Sequence, residues 1–359
     1  MAHSFVLTGG GTGGHVFPAL AVARVLQARG HRLLFVGTKE GMESRLVPEA
    51  GFEIEFVRSG GLNRVDLAQQ IKSLARLPLG IAAAWSLLKK FRAEAVFSMG
   101  GYVAGPVMLA AALGGIPLVV IEPNSVPGFT NRKMATTVYR ALLGFENARR
   151  WFPADRAEVT GLPVRPEFFA LQHEPQPFFT VLITGGSRGA RTLNRASKES
   201  WPHFWANGSP VRIVHQTGAA EHEALAQEFA AAEVAGEVVP FIKDMAAAFA
   251  GADLVVGRAG AGGVNEIAAA GMASVLVPLP FAADDHQKQN AMTLVDAGAA
   301  RMILDAEMTG ERLFREVEEL RAQPETLAAM RQRVRQFARP GAAERAAVVL
   351  EEAAKSKQR

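Results

Sequence analysis

Two stretches decide how this chain folds. The first is Val6-Leu7-Thr8-Gly9-Gly10-Gly11-Thr12-Gly13-Gly14-His15; the second is Leu182-Ile183-Thr184-Gly185-Gly186-Ser187-Arg188-Gly189-Ala190. Each is a short apolar run, then Thr-Gly-Gly, then a helix-forming segment. A strand that feeds a glycine-rich turn and a helix is the opening of a βαβ unit. Its appearance twice, about 175 residues apart, reads as two Rossmann-like domains in tandem.

The pattern continues outward from both turns. Phe5–Leu7 precedes a helix near Pro18–Arg29, and Leu33–Val36, Ala95–Met99 and Leu118–Ile121 are later strands. In the second half Thr180–Ile183, Val211–His215, Val238–Val239, Leu254–Val256 and Val275–Val277 alternate with helical segments. Short apolar strands alternating with helices give parallel sheets covered on both faces, an α/β architecture. The Pro-rich link Gly161-Leu162-Pro163-Val164-Arg165-Pro166 is the expected hinge. The expected domains are therefore 1–160 and 161–340, with a last helix, 341–359, returning to the first domain. The C-terminal third reads as helices Glu311–Arg321, Glu325–Phe337 and Ala342–Ala354.

The bulk properties fit. The chain has 359 residues, 49% hydrophobic and 21% charged, as in a folded globular protein. There is no cysteine, which excludes disulfides, thiolate metal sites and cysteine nucleophiles. The N-terminus lacks a secretory signal pattern, so the cytoplasm is the expected compartment. Net charge is +4, yet residues 1–160 carry 18 Lys and Arg against 11 Asp and Glu. A basic first half suits an anionic partner. The uncharged run Val103–Ile121 is long enough for a membrane span, but Pro106, Gly114, Gly115 and Pro117 interrupt it. A helix to Leu113, a Gly-Gly turn and a buried strand explain it better.

The first turn holds five glycines between Gly9 and Gly14. Glycines there let the backbone approach a phosphate, and the following helix N-terminus favours negative charge. A dinucleotide fold would also place an acid at the end of the next strand, and Phe35-Val36-Gly37-Thr38 has none. His15 opens the helix, where the dipole disfavours the imidazolium; a neutral His facing a substrate can act as a base. The second turn matches G-x-S-x-G, which leaves open a serine hydrolase with Ser187 as nucleophile and Asp253 and His286 as partners. A third turn, Gly257-Arg258-Ala259-Gly260-Ala261-Gly262-Gly263-Val264-Asn265-Glu266, again follows an apolar strand. Glu266 could compensate the helix dipole or accept from a ribose diol. The polar loop Asp284-Asp285-His286-Gln287 follows a strand end, where α/β ligands bind. No P-loop, His-Glu-x-x-His or Asp-x-Asp motif is present, and the last absence argues against a metal-gripping glycosyltransferase.

Residues 71–92 interleave Ile71, Leu74, Ile81, Trp85 and Leu88 with Lys72, Arg76 and Lys89, without an acid. This is either an amphipathic core helix, broken at Pro78, or a face that docks on an anionic bilayer. Nucleic-acid binding lacks a recognition module.

Taken together the motifs resemble the GT-B glycosyltransferases, and within them the MurG-type undecaprenyldiphospho-muramoylpentapeptide β-N-acetylglucosaminyltransferases. The resemblance spans about Phe5 to Val349. It rests on Gly9–Ala19, Met99-Gly100-Gly101-Tyr102-Val103, Glu122-Pro123-Asn124, Gly185–Ala190, Phe241-Ile242-Lys243-Asp244-Met245 and Asn265–Gly271.

The resemblance implies two Rossmann-like domains with a cleft between them, and inverting transfer of N-acetylglucosamine from UDP-GlcNAc to the 4-hydroxyl of the muramoyl sugar of lipid I. It implies donor binding by Thr12, Gly13, Gly14, Asn124, Arg165, Ser187, Ile242, Gln287 and the run Ala261, Gly262, Gly263, Val264, Asn265 and Glu266. The Ile242 backbone would read uracil and Glu266 the ribose. Acceptor contacts would fall to Gly11, Thr12, Gly101 and Tyr102, and the base to His15 or, second, Glu122. No metal is implied. The expected setting is peripheral, at the cytoplasmic face of the inner membrane, with contacts to other cell-wall synthesis proteins. Ile121 and Pro123 depart from the family's frequent His-Glu-Gln-Asn, and Leu162 stands where Asn is frequent. Another GT-B glycolipid synthase and a nucleotide-sugar sensor are the remaining readings.

Overall fold

The computed structural model describes residues 2–10, 13–57, 67–174, 176–208, 211–280 and 285–357, with backbone only for 13 and 67–76. The chain divides into two compact units. One comprises residues up to Val164 together with Arg339 onward; the other is Arg165–Ala338. The first break falls four residues beyond the expected start of the second domain, inside the Pro-rich link.

The first unit runs β1 (Ser4–Thr8), α1 (Gly13–Ala28), β2 (Arg32–Gly37), α2 (Glu43–Glu49), β3 (Ile54–Phe56), α3 (Leu67–Phe91), β4 (Ala95–Ser98), α4 (Gly105–Leu113), β5 (Leu118–Glu122), α5 (Phe129–Met134), β6 (Arg140–Leu143) and β7 (Ala157–Val159). Its strands form one sheet in the order β3-β2-β1-β4-β5-β6-β7, every pairing parallel. The central strands are buried along their whole length, as expected for a parallel sheet covered on both faces. Val6, Val96 and Val120 share one core with Ala84, Leu88 and Met108 from α3 and α4.

The second unit runs β8 (Phe179–Thr184), α6 (Arg191–Ala206), β9 (Val211–Gln216), α7 (His222–Ala231), β10 (Gly236–Val239), α8 (Met245–Ala250), β11 (Leu254–Gly257), α9 (Ala261–Ala270), β12 (Ser274–Leu276), α10 (His286–Asp296), β13 (Arg301–Met302), α11 (Gly310–Arg321) and α12 (Pro324–Val334). Its parallel sheet has the order β10-β9-β8-β11-β12-β13. Asp244 caps α8 by accepting from the Ala247 amide at 2.9 Å, and Gly271 ends α9 in the left-handed region at φ +67°.

The last helix, α13 (Ala342–Lys357), packs on α1, β4 and β5 of the first unit. Arg345 grips Glu158 through two bonds of 2.6 and 2.8 Å, which holds the Glu158 carboxyl below its ordinary value. Glu351 accepts from His31 at 2.9 Å and Arg29 at 3.2 Å.

Two sequence expectations change. α1 begins at Gly13, so the helix includes the end of the glycine run. α3 continues through Pro78 rather than breaking there. Proline removes one backbone donor from a helix, and here packing against α4 outweighs that loss. Gly114, after α4, has no room for a side chain because the Trp85 ring of α3 occupies it. Among the described residues no helix is long and apolar enough to cross a membrane.

Candidate active site

In each sheet the strand order reverses once, between β1 and β4 in the first unit and between β8 and β11 in the second. Ligands of open α/β sheets bind beyond the strand C-termini at such a reversal, because the adjacent loops run apart and leave a crevice. All three glycine-rich turns lie at these two places.

In the first unit, Gly9 sits at φ +145° with Met99 directly against its Cα, so the turns after β1 and β4 touch. Gly100 and Gly101 both have positive φ, +75° and +81°. The Gly100 amide donates to Ser98 Oγ at 2.9 Å, and the Gly101 carbonyl accepts from Thr130 Oγ1 at 3.1 Å. A side chain at Gly101 would meet the His15 ring at 3.8 Å, so His15, half-buried in the first turn of α1, lies over this turn. Tyr102 is exposed beside them. Partial burial first, then the charges of Glu43 and Glu40, push its hydroxyl pKa up. Gly11 and Thr12 lie outside the described residues, and Gly13 is described by backbone alone.

Glu122 ends β5 and is 1% exposed. Its Oε1 accepts from the Asn124 amide at 2.9 Å and from Asn124 Nδ2 at 3.2 Å. Its Oε2 accepts from the Gly128 amide at 3.1 Å and Asn131 Nδ2 at 2.9 Å. Burial raises its pKa and these four bonds oppose the rise. Both oxygens are thus committed to shaping the 123–131 loop, an arrangement suited to holding Asn124 in place rather than to taking a substrate proton.

In the second unit, Ser187 is exposed in the turn after β8. The N-terminus of α9 has no side-chain cap, so the amides of Ala261, Gly262 and Gly263 are available to an anion. Val264 is buried with its amide donated to the Gly260 carbonyl at 3.0 Å, and Asn265 Nδ2 bonds back to the Ala261 carbonyl at 2.8 Å. Glu266 is partly buried. Burial pushes its carboxyl up to about 7; Arg165 opposes the rise and Glu167 adds to it. Arg165 lies 3.4 Å from Glu167 and 4.8 Å over the Phe168 ring. Gln287 Oε1 accepts from the Leu279 amide at 2.9 Å, and its Nε2 would lie 4.0 Å from a side chain at Gly260. Ile242 is half-buried just beyond β10.

The serine hydrolase reading fails on geometry. Asp253 stands at the start of β11, accepting from the Thr180 amide at 2.9 Å, beside His173 and Arg331. Ser187 follows the other end of β8, so the sheet separates the two. Asp284 lies outside the described residues. The membrane expectation also changes in part: Leu88 is buried in the core. Ile81 and Trp85 are partly covered, Lys89 stacks 4.7 Å over Trp85, and the side chains of Ile71, Lys72, Leu74 and Arg76 lie outside the described residues.

Three residues escaped the sequence reading. Glu43 is buried against Gly10, Gly37 and Gly41, bonded to the Thr38 amide at 3.0 Å and Thr38 Oγ1 at 2.9 Å. Arg258 donates to the Val277 and Pro278 carbonyls and to Asp305 at 2.5 Å, tying the end of β12 to the segment after β13. Gln216 ends β9 with a buried carboxamide. A polar residue at the C-terminal end of an apolar strand was the available signal for Gln216.

Comparison with known proteins agrees with this geometry. Residues 5–143 match the N-terminal domain of glycosyltransferase family 28 and residues 180–346 its C-terminal domain. The chain is 54% identical over 99% of its length, and 97% of the relative's, to the UDP-N-acetylglucosamine--N-acetylmuramyl-(pentapeptide) pyrophosphoryl-undecaprenol N-acetylglucosamine transferase of Solibacter usitatus. It is 40% identical to the protein of that description from Myxococcus xanthus, over 96% and 91% of the two chains. The crystal structure of Acinetobacter baumannii MurG superimposes with a TM-score of 0.81 at 36% identity, covering 98% of this chain and all of that one. The calicheamicin glycosyltransferase CalG4, at 18% identity and TM-score 0.73 over 99% of both chains, shares the fold. With both domains of the family present in order on two Rossmann-like units, the chain belongs to glycosyltransferase family 28.

Proposed function

We propose that this glycosyltransferase moves N-acetylglucosamine from UDP-GlcNAc to the 4-hydroxyl of the muramoyl sugar of lipid I, forming lipid II for peptidoglycan synthesis. The observation that carries the reading is the 54% identity, over nearly the full length of both chains, to a protein named for that transfer.

The residues can be given roles. The donor diphosphate sits at the uncapped N-terminus of α9, where free amides and the helix dipole favour negative charge. Glu266 accepts from the ribose hydroxyls, the Ile242 backbone meets the uracil, and Ser187 and Arg165 bind the phosphates. Asn124, held by Glu122, contributes from the first unit. The acceptor 4-oxygen attacks the anomeric carbon opposite UDP. Its proton passes to a His15 ring nitrogen, the new O4–C1 bond forms, and the electron pair of the breaking C1–O bond leaves with UDP. The configuration inverts. Charge building on UDP meets preorganised amides and Arg165, which stabilise the transition state more than the ground state. Gly101 and Tyr102 sit beside His15 and belong to the acceptor side. No metal requirement is expected.

A basic first unit with exposed Leu79 on α3 and Leu113 on α4 suits docking on an anionic inner-membrane surface, where the polyprenyl acceptor resides. The test is to incubate the purified protein with labelled UDP-GlcNAc and a short-chain lipid I analogue in EDTA. Label should enter the lipid. Donor binding without transfer would move the assignment to a different acceptor or to a sensor.

A further inference from the structure

Two loops of the second unit that carry donor residues, those after β8 and β10, are joined by one side chain that the transfer chemistry leaves unused. Gln216 is the last residue of β9, paired with Thr184 of β8 on one side and Val239 of β10 on the other. It is fully buried. Its Nε2 donates to the Gly186 carbonyl at 2.8 Å and to Thr184 Oγ1 at 3.3 Å. Its Oε1 accepts from the Ile242 amide at 2.8 Å. Thr184 Oγ1 in turn accepts from the Gly186 amide at 3.2 Å. Only one orientation of the carboxamide serves both ends, since a carbonyl must meet a donor and an amide an acceptor.

The surrounding backbone is built around this link. Gly189 and Gly218 have φ of +72° and +79°. A side chain on Gly189 would strike the Thr217 carbonyl, and one on Gly218 the Arg188 carbonyl. The turn after β8 and the turn after β9 therefore lie backbone on backbone. The Thr217 amide donates to the Val239 carbonyl at 3.0 Å and extends the join to the end of β10.

We propose that Gln216 is a positioning residue that sets the base-reading backbone at Ile242 in fixed register with the phosphate-side turn at Gly186–Ser187. The proposal rests on the uridine-nucleotide reading of this site given above. Uracil and cytosine differ at ring N3, a donor in uracil and an acceptor in cytosine, so a backbone carbonyl held in place tells them apart. By accepting from the Ile242 amide, Gln216 holds the Phe241–Ile242 peptide plane and leaves the Ile242 carbonyl to read the base. Glu at this position would keep the acceptor for Ile242 but lose the donor to Gly186 and bring a negative charge against that carbonyl. Met would keep the volume and lose both bonds.

The test uses the full-length chain and three measurements: titration with UDP and with CDP, steady-state transfer from UDP-GlcNAc, and thermal unfolding. Gln216→Met should weaken UDP by about tenfold, the effect of unpairing a buried hydrogen-bonding group. It should narrow the preference for UDP over CDP and raise KM for UDP-GlcNAc, while kcat at saturating donor stays within about twofold. Gln216→Glu should fall between Met and the native residue in UDP preference and serves as the deciding variant if Gln216→Met does not fold. Unchanged UDP affinity, equal weakening of UDP and CDP, or a fall in kcat with KM unchanged would overturn the proposal. A native protein with no preference for UDP over CDP would instead overturn the uridine reading, and the proposal with it.

Discussion

The Asn131 side-chain amide donates to Glu122 Oε2 at 2.9 Å, with both groups buried beneath the 123–131 loop. Four donors converge on that one carboxylate. Glu122→Gln replaces an acceptor oxygen by an NH2 group and sets donor against donor. A loss of about 2 kcal/mol in unfolding free energy is expected for a buried group left unpaired, read by denaturant titration. Transfer should fall through displacement of Asn124. The acid limb of the kcat–pH profile should keep its position, because the proton acceptor is another group. Loss of that limb would return Glu122 to the base role.

His15 lies over Gly101 at the head of α1. If it takes the acceptor proton, His15→Ala should lower kcat by roughly 10²–10⁴, the usual contribution of a positioned base. UDP-GlcNAc affinity should change less than twofold, since the donor residues lie mainly in the other unit. An unchanged kcat would remove His15 from the mechanism.

Burial pushes Glu266 up to about 7 in the empty protein, and ribose hydroxyls donate more strongly to its ionised form. Donor affinity should therefore be highest above pH 7 and weaken as pH falls below it, by up to about tenfold per unit. UDP-GlcNAc is the right probe because its diphosphate diester stays ionised throughout. Glu266→Gln should flatten the profile. The sign for folding is opposite. A carboxyl raised in the folded state stabilises the empty protein most at low pH, and that contribution is lost as pH rises toward 7.

Asp253, the acid that a Ser187 hydrolase would need, sits at the far end of the sheet beside Thr180. Ser187→Ala should raise KM for UDP-GlcNAc by about tenfold, the effect of one bond to a charged phosphate, and leave transfer measurable. A fluorophosphonate should not label the native protein. Labelling at Ser187 would reopen the hydrolase reading.

The three glycine turns were legible because glycine spacing after an apolar strand is a local signal with a local cause: backbone must approach backbone or an anion there. Gly189 and Gly9 are of this kind. Glu43 and Gln216 were not legible in the same way. Their partners, Gly10 and Thr38 for one and Gly186 and Ile242 for the other, come from loops that only the sheet order brings together. Pro78 misled for the reverse reason. Its local effect is to interrupt a helix, and the contact of α3 with α4, made after the chain has folded back, overrides it. Leu88 shows the limit of periodicity, which marks an apolar stripe but not whether core or solvent receives it.

Two exposed leucines outside that stripe, one on α3 and one at the end of α4, offer a test of the membrane expectation. Leu79 and Leu113 are 69% and 79% exposed, and Lys89 stacks on Trp85, whose ring reaches Gly114 beside Leu113. Exposed apolar side chains on a basic unit gain both from burial in the acyl boundary and from attraction to anionic headgroups. Leu79→Glu with Leu113→Glu should reduce sedimentation with phosphatidylglycerol vesicles by about tenfold or more, since each change removes an apolar contact worth about 1.5–3 kcal/mol when fully buried and adds repulsion. KM for a water-soluble, short-chain acceptor should not change, because such an acceptor reaches the protein without the membrane. The native protein's vesicle binding should weaken as salt rises, its electrostatic part being screened over about 10 Å at 0.1 M. Vesicle binding that survives both substitutions would place the membrane contact on another face of the first unit, the exposed Phe129 and Trp151 beside Arg132, Lys133 and Arg150 being the next to substitute.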